Sequence, residues 1–490
     1  MNSEQLDKYA SRIAIVDPNG RWPYSELVAD AHRLADALAT DHADLGEARV
    51  ALLCDPGHDF VVALLACWYA GGIAVPLHPS HPDAELAYVL ADSGSTVVVS
   101  SPAHEALARR LAGPVGAAVV AVEPDRLSTA HQLPGVGNPT RRAMMLYTSG
   151  TTGRPKGVVH THGGLQAQVE SLIEAWAWSA DDRILLVLPL HHVHGVVNVT
   201  LCALWAGAEC EAPGGFDARA TWDRLASGHL TLFMAVPTIY TRLIGAWDAA
   251  GTTERQQWSA GAARARLMVS GSAALPVSTL ERWQTITGHV LLERYGMTEI
   301  GMALSNTLER RVPGKVGEPL PKVEVRVVDD LGRDVSDGDA GELLVRGPQV
   351  FVEYWRRADE TAAAFVDGWF RTGDVAVHEP DGYRLLGRSS IDIIKTGGEK
   401  VSALEIEEVY RTHPSVADCA VVGIPDPEWG ERVCAAVVTD AATLSADVLR
   451  VWGKQRLAAA KVPSRFVFVA GLPRNTMGKV TKAEVCKLFV

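Results

Sequence analysis

Cysteine is scarce in this chain of 490 residues, which has only seven. They are Cys54, Cys67, Cys202, Cys210, Cys419, Cys434 and Cys486. Their odd number, wide spacing and lack of a CxxC pair argue against a disulfide framework and against a thiolate zinc site. We interpret them as buried thiols and expect a protein of the reducing cytoplasm.

The chain also lacks an excess of positive charge and an unbroken hydrophobic span. Its 46 Lys and Arg against 58 Asp and Glu give a formal net charge of -12, which argues against a protein that coats nucleic acid. No basic segment followed by an apolar one opens the chain, so no secretory signal is predicted. The longest uncharged stretch, residues 60–77, is broken by Gly71-Gly72 and Pro76, which favours buried core over a membrane helix. We therefore expect neither nucleic acid nor a membrane as a partner.

What the chain has is a large apolar fraction, 47%, and enough length for about two to four domains. Strand-like and helix-like segments alternate from residue 48 to residue 122, and the strand-like ones are continuously apolar, as at 50–53, 73–77 and 96–99. This alternation predicts an α/β fold with a doubly wound parallel sheet that is covered by helices on both faces.

A different pattern begins near residue 322. Short strand-like segments at 323–328, 341–346 and 383–386 are separated by Asp-Gly turns and predict a β-rich subdomain. After residue 388, helix-like segments at 403–412 and 446–458 flank apolar strands at 419–424 and 433–438. We therefore predict a large N-terminal domain at 1–388 and a small α+β C-terminal domain at 389–490.

The segment richest in chemistry is residues 147–157, YTSGTTGRPKG, which follows an apolar run. Its glycines let backbone N–H groups converge on an anion, and Lys156 supplies a charge suited to a triphosphate, although a surface turn is the alternative. It is not a Walker loop, because Pro155 precedes Lys156 and Gly157 stands where Ser or Thr is required. A dinucleotide fingerprint fails too, since Gly135-x-Gly137 has Thr140 at its last position.

This loop resembles the phosphate-binding signature of the AMP-forming acyl-CoA synthetases, which belong to the adenylate-forming superfamily. Five further segments match the family's motifs in order: 270–276 (SGSAALP, adenine side), 295–299 (YGMTE, acyl-adenylate), 371–374 (RTGD, ribose), 387–388 (GR, hinge) and 473–479 (PRNTMGK, catalytic lysine). The resemblance implies a ligase that uses MgATP to convert a carboxylic acid to an acyl-adenylate, releasing pyrophosphate. Coenzyme A then takes the acyl group and AMP leaves.

The resemblance also implies a role for each motif residue. The β- and γ-phosphates would be held by Thr148, Ser149, Gly150, Thr151, Thr152, Gly153 and Lys156. The rest of the ATP site would comprise Ser270, Gly271, Ser272, Ala273, Ala274, Tyr295, Gly296, Asp374 and Arg388, with Asp374 on the ribose hydroxyls. The catalytic residues would be Lys479, Thr298, Glu299 and His192, with Thr298 on the α-phosphate and Glu299 on Mg2+. Lys479 would bridge the attacking carboxylate and the α-phosphate.

In this family the small C-terminal domain is mobile. It swings between the two half-reactions, removes the lysine and brings a glycine loop to the thiol tunnel. Gly397, Gly398 and Glu399 match that loop. The chain departs from the family pattern at the hinge, where Ser390 stands in place of the common Asp or Lys.

Two arginines carry the prediction of the acid substrate. Arg294 precedes the YGMTE motif, Arg242 follows the segment 236–240, and the sequence around both resembles the malonyl-CoA synthetases of the family. In those enzymes the two arginines hold the free carboxylate, which is costly to bury unless a guanidinium pairs with it. We expect malonate, and methylmalonate with it. The alternatives are another small or aromatic acid, loading of a carrier protein, or ATP binding without catalysis, and for Arg242 a helix cap or a surface ion pair.

Histidines cluster in the segment 191–195, HHVHG, which follows a segment at 186–190 that is predicted to be a strand, and they occur also at His160 and His162. A zinc site is disfavoured, because the i, i+2 spacing without Cys or acidic partners fits no standard ligand set. The resemblance places His192 at the gate of the acyl pocket, where it would contact the substrate. His191 stands where an aromatic residue is more common.

Overall fold

The computed structural model describes residues 3–39, 44–123, 138–148, 154–441, 443–474 and 478–489. In this part of the chain the strands form four sheets. The elements up to residue 176 are α1 (Ser3–Asp7), β1 (Ile13–Asp17), β2 (Gly20–Pro23), α2 (Tyr24–Leu38), β3 (Arg49–Leu53), α3 (His58–Tyr69), β4 (Ile73–Pro76), α4 (Asp83–Ser93), β5 (Val97–Ser100), α5 (Glu105–Ala112), β6 (Ala118–Ala121), β7 (Arg142–Thr148), β8 (Lys156–Thr161) and α6 (His162–Trp176).

The remaining elements fall into three groups along the chain. Up to residue 305 they are β9 (Arg183–Leu185), a π-helix (His194–Leu201), α7 (Cys202–Ala206), β10 (Glu209–Glu211), α8 (Ala218–Ala226), β11 (Leu232–Ala235), α9 (Pro237–Ala249), α10 (Thr252–Ala262), β12 (Leu267–Ser270), α11 (Val277–Thr287), β13 (Leu292–Met297) and β14 (Gly301–Ser305). Up to residue 388 they are β15 (Glu318–Pro319), β16 (Glu324–Val328), β17 (Ala340–Arg346), β18 (Glu353–Tyr354), α12 (Ala358–Ala363), β19 (Phe365–Val366), β20 (Trp369–Glu379) and β21 (Gly382–Arg388). After it they are β22 (Ile393–Thr396), β23 (Glu399–Ser402), α13 (Ala403–Arg411), β24 (Asp418–Asp426), β25 (Gly430–Val438), α14 (Ala446–Lys454), β26 (Arg465–Val469) and α15 (Lys482–Cys486).

The predicted doubly wound layer is a seven-stranded sheet in the order β18-β8-β7-β4-β3-β5-β6. Its strands β6, β5, β3, β4 and β7 run parallel, as their continuous apolar runs predicted. Side chains alternate between its faces: Val50 and Leu52 belong to one apolar core, and Ala51 and Leu53 to another under α4 and α5. The predicted α/β fold class is confirmed.

The uncharged stretch at 60–77 lies within this layer. It forms most of α3 and all of β4, and nearly all of its side chains are buried. The prediction of buried core is therefore confirmed. Within the described ranges, no helix combines the length and the apolar character that crossing a bilayer requires.

A second sheet of nine strands has the order β15-β14-β13-β12-β11-β9-β10-β1-β2. It carries the segments that the family motifs single out, because β12 ends at Ser270 and β13 runs from Leu292 to Met297. One expectation is wrong here: the strand expected at 186–190 lies earlier, at Arg183–Leu185. Pro189 has no N–H to donate, so the chain leaves the sheet before it reaches that position.

The β-rich subdomain and the C-terminal α+β region each have their own sheet. Strands β16, β17, β20, β19 and β21 form an antiparallel sheet, which confirms the strands expected between 323 and 386. Strands β22 to β26 form the last sheet, with apolar cores on both faces. The proposed boundary at residue 389 falls between β21 and β22 and stays a prediction. All seven cysteines are free, and six are buried.

Candidate active site

The glycine-rich segment connects two antiparallel strands. Thr148 ends β7 and Lys156 begins β8, and the two residues are register partners. The other predicted phosphate ligands lie outside the described residues; they are Ser149, Gly150, Thr151, Thr152 and Gly153. Lys156 forms an ion pair with Glu360 of α12, and its Nζ lies 5.2 Å from the centre of the Tyr354 ring. The structure thus places the two ends of the predicted phosphate cradle.

Glu299 lies two residues after the end of β13 and is buried. The Tyr354 hydroxyl donates a hydrogen bond of 3.0 Å to Glu299 Oε1. Burial raises the pKa of Glu299, while this bond and the charges of Arg388 and Lys156 oppose the increase. Mg2+ at a nucleotide is commonly held by one or two protein carboxylates together with the phosphates. A buried carboxylate within range of Lys156 fits that requirement. Thr298, its neighbour, is partly exposed.

The predicted ribose site is held together by three strands. Asp374 of β20 is buried and accepts a hydrogen bond from the Tyr295 hydroxyl of β13. Its other carboxylate oxygen pairs with Arg388 Nε of β21 at 3.1 Å. Burial raises the pKa of Tyr295, so this hydroxyl stays protonated and donates. The structure therefore brings Asp374, Tyr295 and Arg388 together.

The adenine-side segment follows β12. Ser270 is fully buried, and its hydroxyl has no partner among the described residues. Ala273 and Ala274 are exposed. Gly296 has no room for a side chain, because an added Cβ would lie 2.1 Å from the Gly301 carbonyl oxygen. This close approach explains why the strand needs glycine beside the motif threonine and glutamate.

Lys479, from the C-terminal part of the chain, lies near Asp374, Arg388 and Arg294. Its side chain is exposed, yet protein atoms surround it closely enough for desolvation to lower its pKa. The charges of Arg388 and Arg294 lower the pKa further, and Asp374 opposes them. Gly478 packs against α9, since an added Cβ there would lie 2.9 Å from Thr238 Cγ2. Lys479 is therefore within electrostatic range of both the ribose residues and Arg294.

Arg294 is the most unusual cation of the site, because it is 3% exposed. Its Nη2 donates a bond of 3.3 Å to Ser272 Oγ, but Nε and Nη1 have no hydrogen-bond partner among the described residues. Gly271 leaves room for the guanidinium: an added Cβ would lie 2.5 Å from Arg294 Cζ. Burial lowers the pKa of Arg294 to about 9, which still leaves it mainly charged near pH 7. Ser272 Oγ also lies 3.2 Å from Nδ1 of buried His194.

Arg242 differs from Arg294, since its side chain is exposed on α9. It makes no ion pair with any residue that the structure describes. Thr238, one turn earlier on the same helix face, is the residue that contacts Gly478. Arg242 therefore lies on the side of α9 that faces Gly478 and Lys479. Its role in substrate binding stays a prediction.

Four histidines form a ring contact cluster beside Lys479. His191 lies 3.9 Å from His192, 5.0 Å from His78 and 4.8 Å from His81, measured between ring centres. Burial, with a smaller contribution from the charge of Lys479, lowers the pKa of His192 to about 4. Burial also lowers the pKa of His191. In the described residues no group of three or more His, Cys, Asp and Glu side chains is arranged to hold a metal ion.

The predicted CoA-side loop is the hairpin between β22 and β23. Gly397 and Gly398 have φ angles of 57° and 83°, which favour glycine. Gly397 N donates a bond of 2.9 Å to the Trp429 carbonyl, and the Trp429 ring covers the Gly397 backbone. Glu399 begins β23 and is exposed. The hairpin is therefore built as a tight backbone turn beside an aromatic ring.

The turn after β21 contains a carboxylate that sequence counting missed. Ser390 is exposed, whereas Asp392 accepts a hydrogen bond of 3.1 Å from Arg388 N. Asp392 also packs against Gly387, where an added Cβ would lie 2.4 Å from Asp392 Cβ. Asp392 is thus the carboxylate held against the Gly387–Arg388 turn, and the departure from the family pattern at Ser390 stands.

Three other residues around the site were not predicted to take part: Tyr354, Glu360 and His194. His194 lies in the histidine segment and was considered only as a zinc ligand. Tyr354 lies in β18 and Glu360 in α12, both far along the chain from Lys156, and no spacing rule links the two regions. Only the folded structure brings them to the phosphate end of the site.

Comparison with known proteins gives consistent matches over the whole chain. The AMP-binding enzyme family pattern matches residues 3–355, and the AMP-binding enzyme C-terminal domain pattern matches residues 405–479. The chain is 46% identical to the human mitochondrial malonate–CoA ligase ACSF3, over 98% of this chain and 90% of that protein. It is 38% identical to a malonate–CoA ligase of Arabidopsis thaliana, over 97% and 86%. The crystal structure of ATP-bound MatB from Rhodopseudomonas palustris superposes with a TM-score of 0.90 at 35% identity, covering 100% and 99%.

Proposed function

Because this chain belongs to the AMP-binding enzyme family, we propose that it is an AMP-forming ligase that joins malonate to coenzyme A. ATP and malonate would give malonyl-adenylate and pyrophosphate, and coenzyme A would then give malonyl-CoA and AMP. The malonate–CoA ligases to which the chain is similar support this choice of acid. Coenzyme A is the acyl acceptor in the names of those relatives, which favours it over a carrier protein.

The observation that carries the proposal is the state of Arg294. Two of its three guanidinium nitrogens are buried and have no partner among the described residues. A buried cation with unused donors is costly, and a carboxylate is the group that best satisfies it. Lys479, which would act at the reacting carboxylate, is within electrostatic range of Arg294. A short diacid can therefore place one carboxylate at each cation.

The same arrangement disfavours simple acids. Acetate or a fatty acid would desolvate Arg294 further without pairing it, so binding would be weak. Methylmalonate keeps the second carboxylate and would meet Arg294 in the same way. We therefore propose methylmalonate as a second substrate.

In the first half-reaction two anions must meet, the carboxylate of malonate and the α-phosphate. Lys479 would reduce their repulsion, and Thr298 would donate to the α-phosphate. Asp374 would orient the nucleotide through the ribose hydroxyls, with Tyr295 and Arg388 holding the carboxylate in place. Glu299 would hold Mg2+, which neutralises phosphate charge when bound.

In the second half-reaction the thiol of coenzyme A attacks the acyl carbon and AMP leaves. The hairpin at Gly397 and Gly398 would serve this step, because glycine backbone allows close approach of the pantetheine chain. Lys479 would have to withdraw, since its position in this structure suits the first step. The mobility of the small domain, which the family resemblance implies, would provide that change.

A panel of acids tests the proposal. The enzyme is incubated with ATP, Mg2+, coenzyme A and one acid, and both AMP and the CoA thioester are quantified. We expect malonate to give the highest kcat/KM, methylmalonate to be accepted, and acetate, benzoate and palmitate to be used at least about 30-fold less well, as expected when a buried charge is left unpaired.

Two outcomes would contradict the proposal. Preference for benzoate or palmitate would remove malonate as the substrate. AMP release that requires an added carrier protein in place of coenzyme A would change the acceptor. The cytoplasmic location expected from the free, mostly buried cysteines stays a prediction.

A further inference from the structure

Helix α12 brings a carboxylate to the lysine of the glycine-rich segment. Glu360 Oε2 forms an ion pair with Lys156 Nζ, and Glu360 Oε1 lies 3.9 Å from Arg357 Nε. The side chains of Lys156 and Glu360 are 25% and 42% exposed, so the pair lies at the edge of the site and not in the core. Glu360 belongs to none of the motifs that assign roles in nucleotide binding.

The backbone around Glu360 is well fixed. Thr361 Oγ1 accepts a bond of 2.9 Å from Tyr354 N and donates one of 2.9 Å to the Arg357 carbonyl. Tyr354 in turn contacts both Lys156, through its ring, and Glu299, through its hydroxyl. The carboxylate therefore reaches Lys156 from a turn that is tied to the predicted metal ligand.

A carboxylate in this place has an electrostatic consequence. Lys156 is the cation that would meet the ATP phosphates, and Glu360 gives it a negative partner without ATP. When the phosphates arrive they compete for the ammonium, and they also repel the carboxylate at short range. Both effects make ATP binding weaker than it would be with a neutral residue at 360.

We propose that Glu360 is a positioning residue. It holds Lys156 in the ATP-free enzyme and releases it to the phosphates when the nucleotide binds. The inference rests on the proposed use of ATP. When ATP binds, the ion pair opens and Lys156 turns to the phosphates. When pyrophosphate leaves, Glu360 takes Lys156 back and so favours its release. No covalent bond changes in this exchange.

The test compares Glu360→Gln with the wild type. Glutamine keeps the size and the hydrogen-bonding capacity of the side chain but removes the charge. An exposed ion pair of this kind changes binding by a small factor, so we expect the Kd for ATP, measured without acid, to fall about two- to fivefold. Inhibition by pyrophosphate should become stronger by a similar factor. Both differences should shrink as the salt concentration rises, because screening weakens the competing attraction.

Asp359→Asn is the matched control. Asp359 is the preceding residue of α12, is exposed, and loses the same charge in this variant without touching Lys156. We expect its ATP affinity and pyrophosphate inhibition to equal those of the wild type. A second control is the double variant Lys156→Gln with Glu360→Gln. The competition acts through Lys156 and the direct repulsion does not, so Glu360→Gln should tighten ATP binding less in the Lys156→Gln background than in the wild type.

The inference is overturned if Glu360→Gln leaves ATP affinity unchanged, weakens it, or changes it no more than Asp359→Asn does. It is also overturned if Glu360→Gln tightens ATP binding as much without Lys156 as with it. These results are separate from the acid panel. A wild type that activates malonate with an inert Glu360→Gln change contradicts only this inference, whereas a shift in ATP affinity without malonate activation contradicts only the substrate.

Discussion

Arg294 is the side chain on which the choice of substrate depends most. Arg294→Ala should lower kcat/KM for malonate by roughly 30-fold to several thousandfold, which corresponds to a loss of about 2–5 kcal/mol of transition-state stabilisation. The reason is that the far carboxylate would then be buried without a partner. Steady-state kinetics with malonate as the varied substrate measure this loss, and a thermal unfolding curve checks that the variant is folded.

Arg282→Ala is the control for this change. Arg282 is exposed on α11 and pairs with Asp248, away from the site, so its loss should leave kcat/KM for malonate unchanged. If Arg294→Ala retains wild-type kinetics with malonate, Arg294 does not bind the acid and the substrate proposal loses its main support.

Gly271 tests the same cation without touching its charge. A Cβ at this position would lie 2.5–2.6 Å from three atoms of the Arg294 guanidinium, so Gly271→Ala must displace the group. Displacement of a binding group by about 1 Å costs up to about 100-fold in rate, and we expect kcat/KM for malonate to fall by about 10- to 100-fold. Gly245→Ala, where an added Cβ meets nothing within 4 Å, should have no effect on the kinetics. Equal activities of the two variants would show that the guanidinium is free to move.

The side chains of the site were predictable to very different degrees. Arg294 could be found because it adjoins a recognisable motif. Its burial, which the structure adds, is the reason to expect a carboxylate beside it. The exposure of Arg242 could not be predicted, since helical periodicity does not report where α9 lies relative to Lys479. The Lys156–Glu360 pair was invisible as well, because it joins two segments that are close only after folding.

Helices α2 and α3 are joined by a buried ion pair whose strength depends on pH. His58, the first residue of α3, lies with Nε2 2.8 Å from Asp30 Oδ2 of α2, and both side chains are buried. Burial by itself would lower the pKa of His58, but the hydrogen bonds to Asp30 and Asp59 outweigh it and raise the pKa to about 9. The folded protein therefore binds this proton more tightly than the unfolded chain does.

The sign of the pH dependence follows from that shift. The contribution of His58 to stability is fully present below the unfolded pKa of about 6.5 and is lost as the pH rises through about 9. We expect His58→Gln to lower the melting temperature most near pH 6, with a smaller difference at pH 9.5. Thermal unfolding from pH 6 to 9.5 measures this trend.

His229→Gln, at an exposed position, should show no such trend and serves as the control. A difference between wild type and His58→Gln that stays constant with pH would mean that His58 packs without carrying a charge.

The positions of helices and strands along the chain were easier to predict than the pairing of strands within the sheets. The alternation of apolar runs and helix-like segments located β3 to β6 and the helices between them, because burial on both faces leaves a continuous apolar signal. That signal does not say that β1 pairs in parallel with β10, which is distant in the chain. The strand was misplaced at 186–190 because an apolar run is equally well buried outside a sheet, as most of these residues are.

The arrangement of the whole chain places the C-terminal lysine at the N-terminal site. Lys479 is within electrostatic range of Arg294, Arg388 and Asp374, and Glu408 of α13 accepts a bond of 3.0 Å from Val277 N at the start of α11. The sequence predicted the lysine but not these contacts, because the relative position of two parts of a chain leaves no periodic pattern. This arrangement suits adenylate formation.

A reversible cross-link between the two parts tests whether they must separate for the second half-reaction. Cβ atoms at Thr238 and Gly478 would lie 3.2 Å apart, slightly under the distance that a disulfide spans, so Thr238→Cys with Gly478→Cys should form one on oxidation. The φ of 78° at Gly478 makes cysteine somewhat strained there, but the reduced form of the same variant provides the reference. With Lys479 held in place, malonate-dependent exchange of pyrophosphate into ATP should continue. Formation of the CoA thioester should fall by at least about tenfold and return on reduction, since the thiol cannot enter where the lysine remains.

Thr238→Cys alone is the control. Its activity should not respond to the oxidant, because six of the seven native cysteines are buried and cannot pair with the new thiol. An oxidised double variant that still makes malonyl-CoA at the reduced rate would show that both half-reactions proceed in the arrangement seen here.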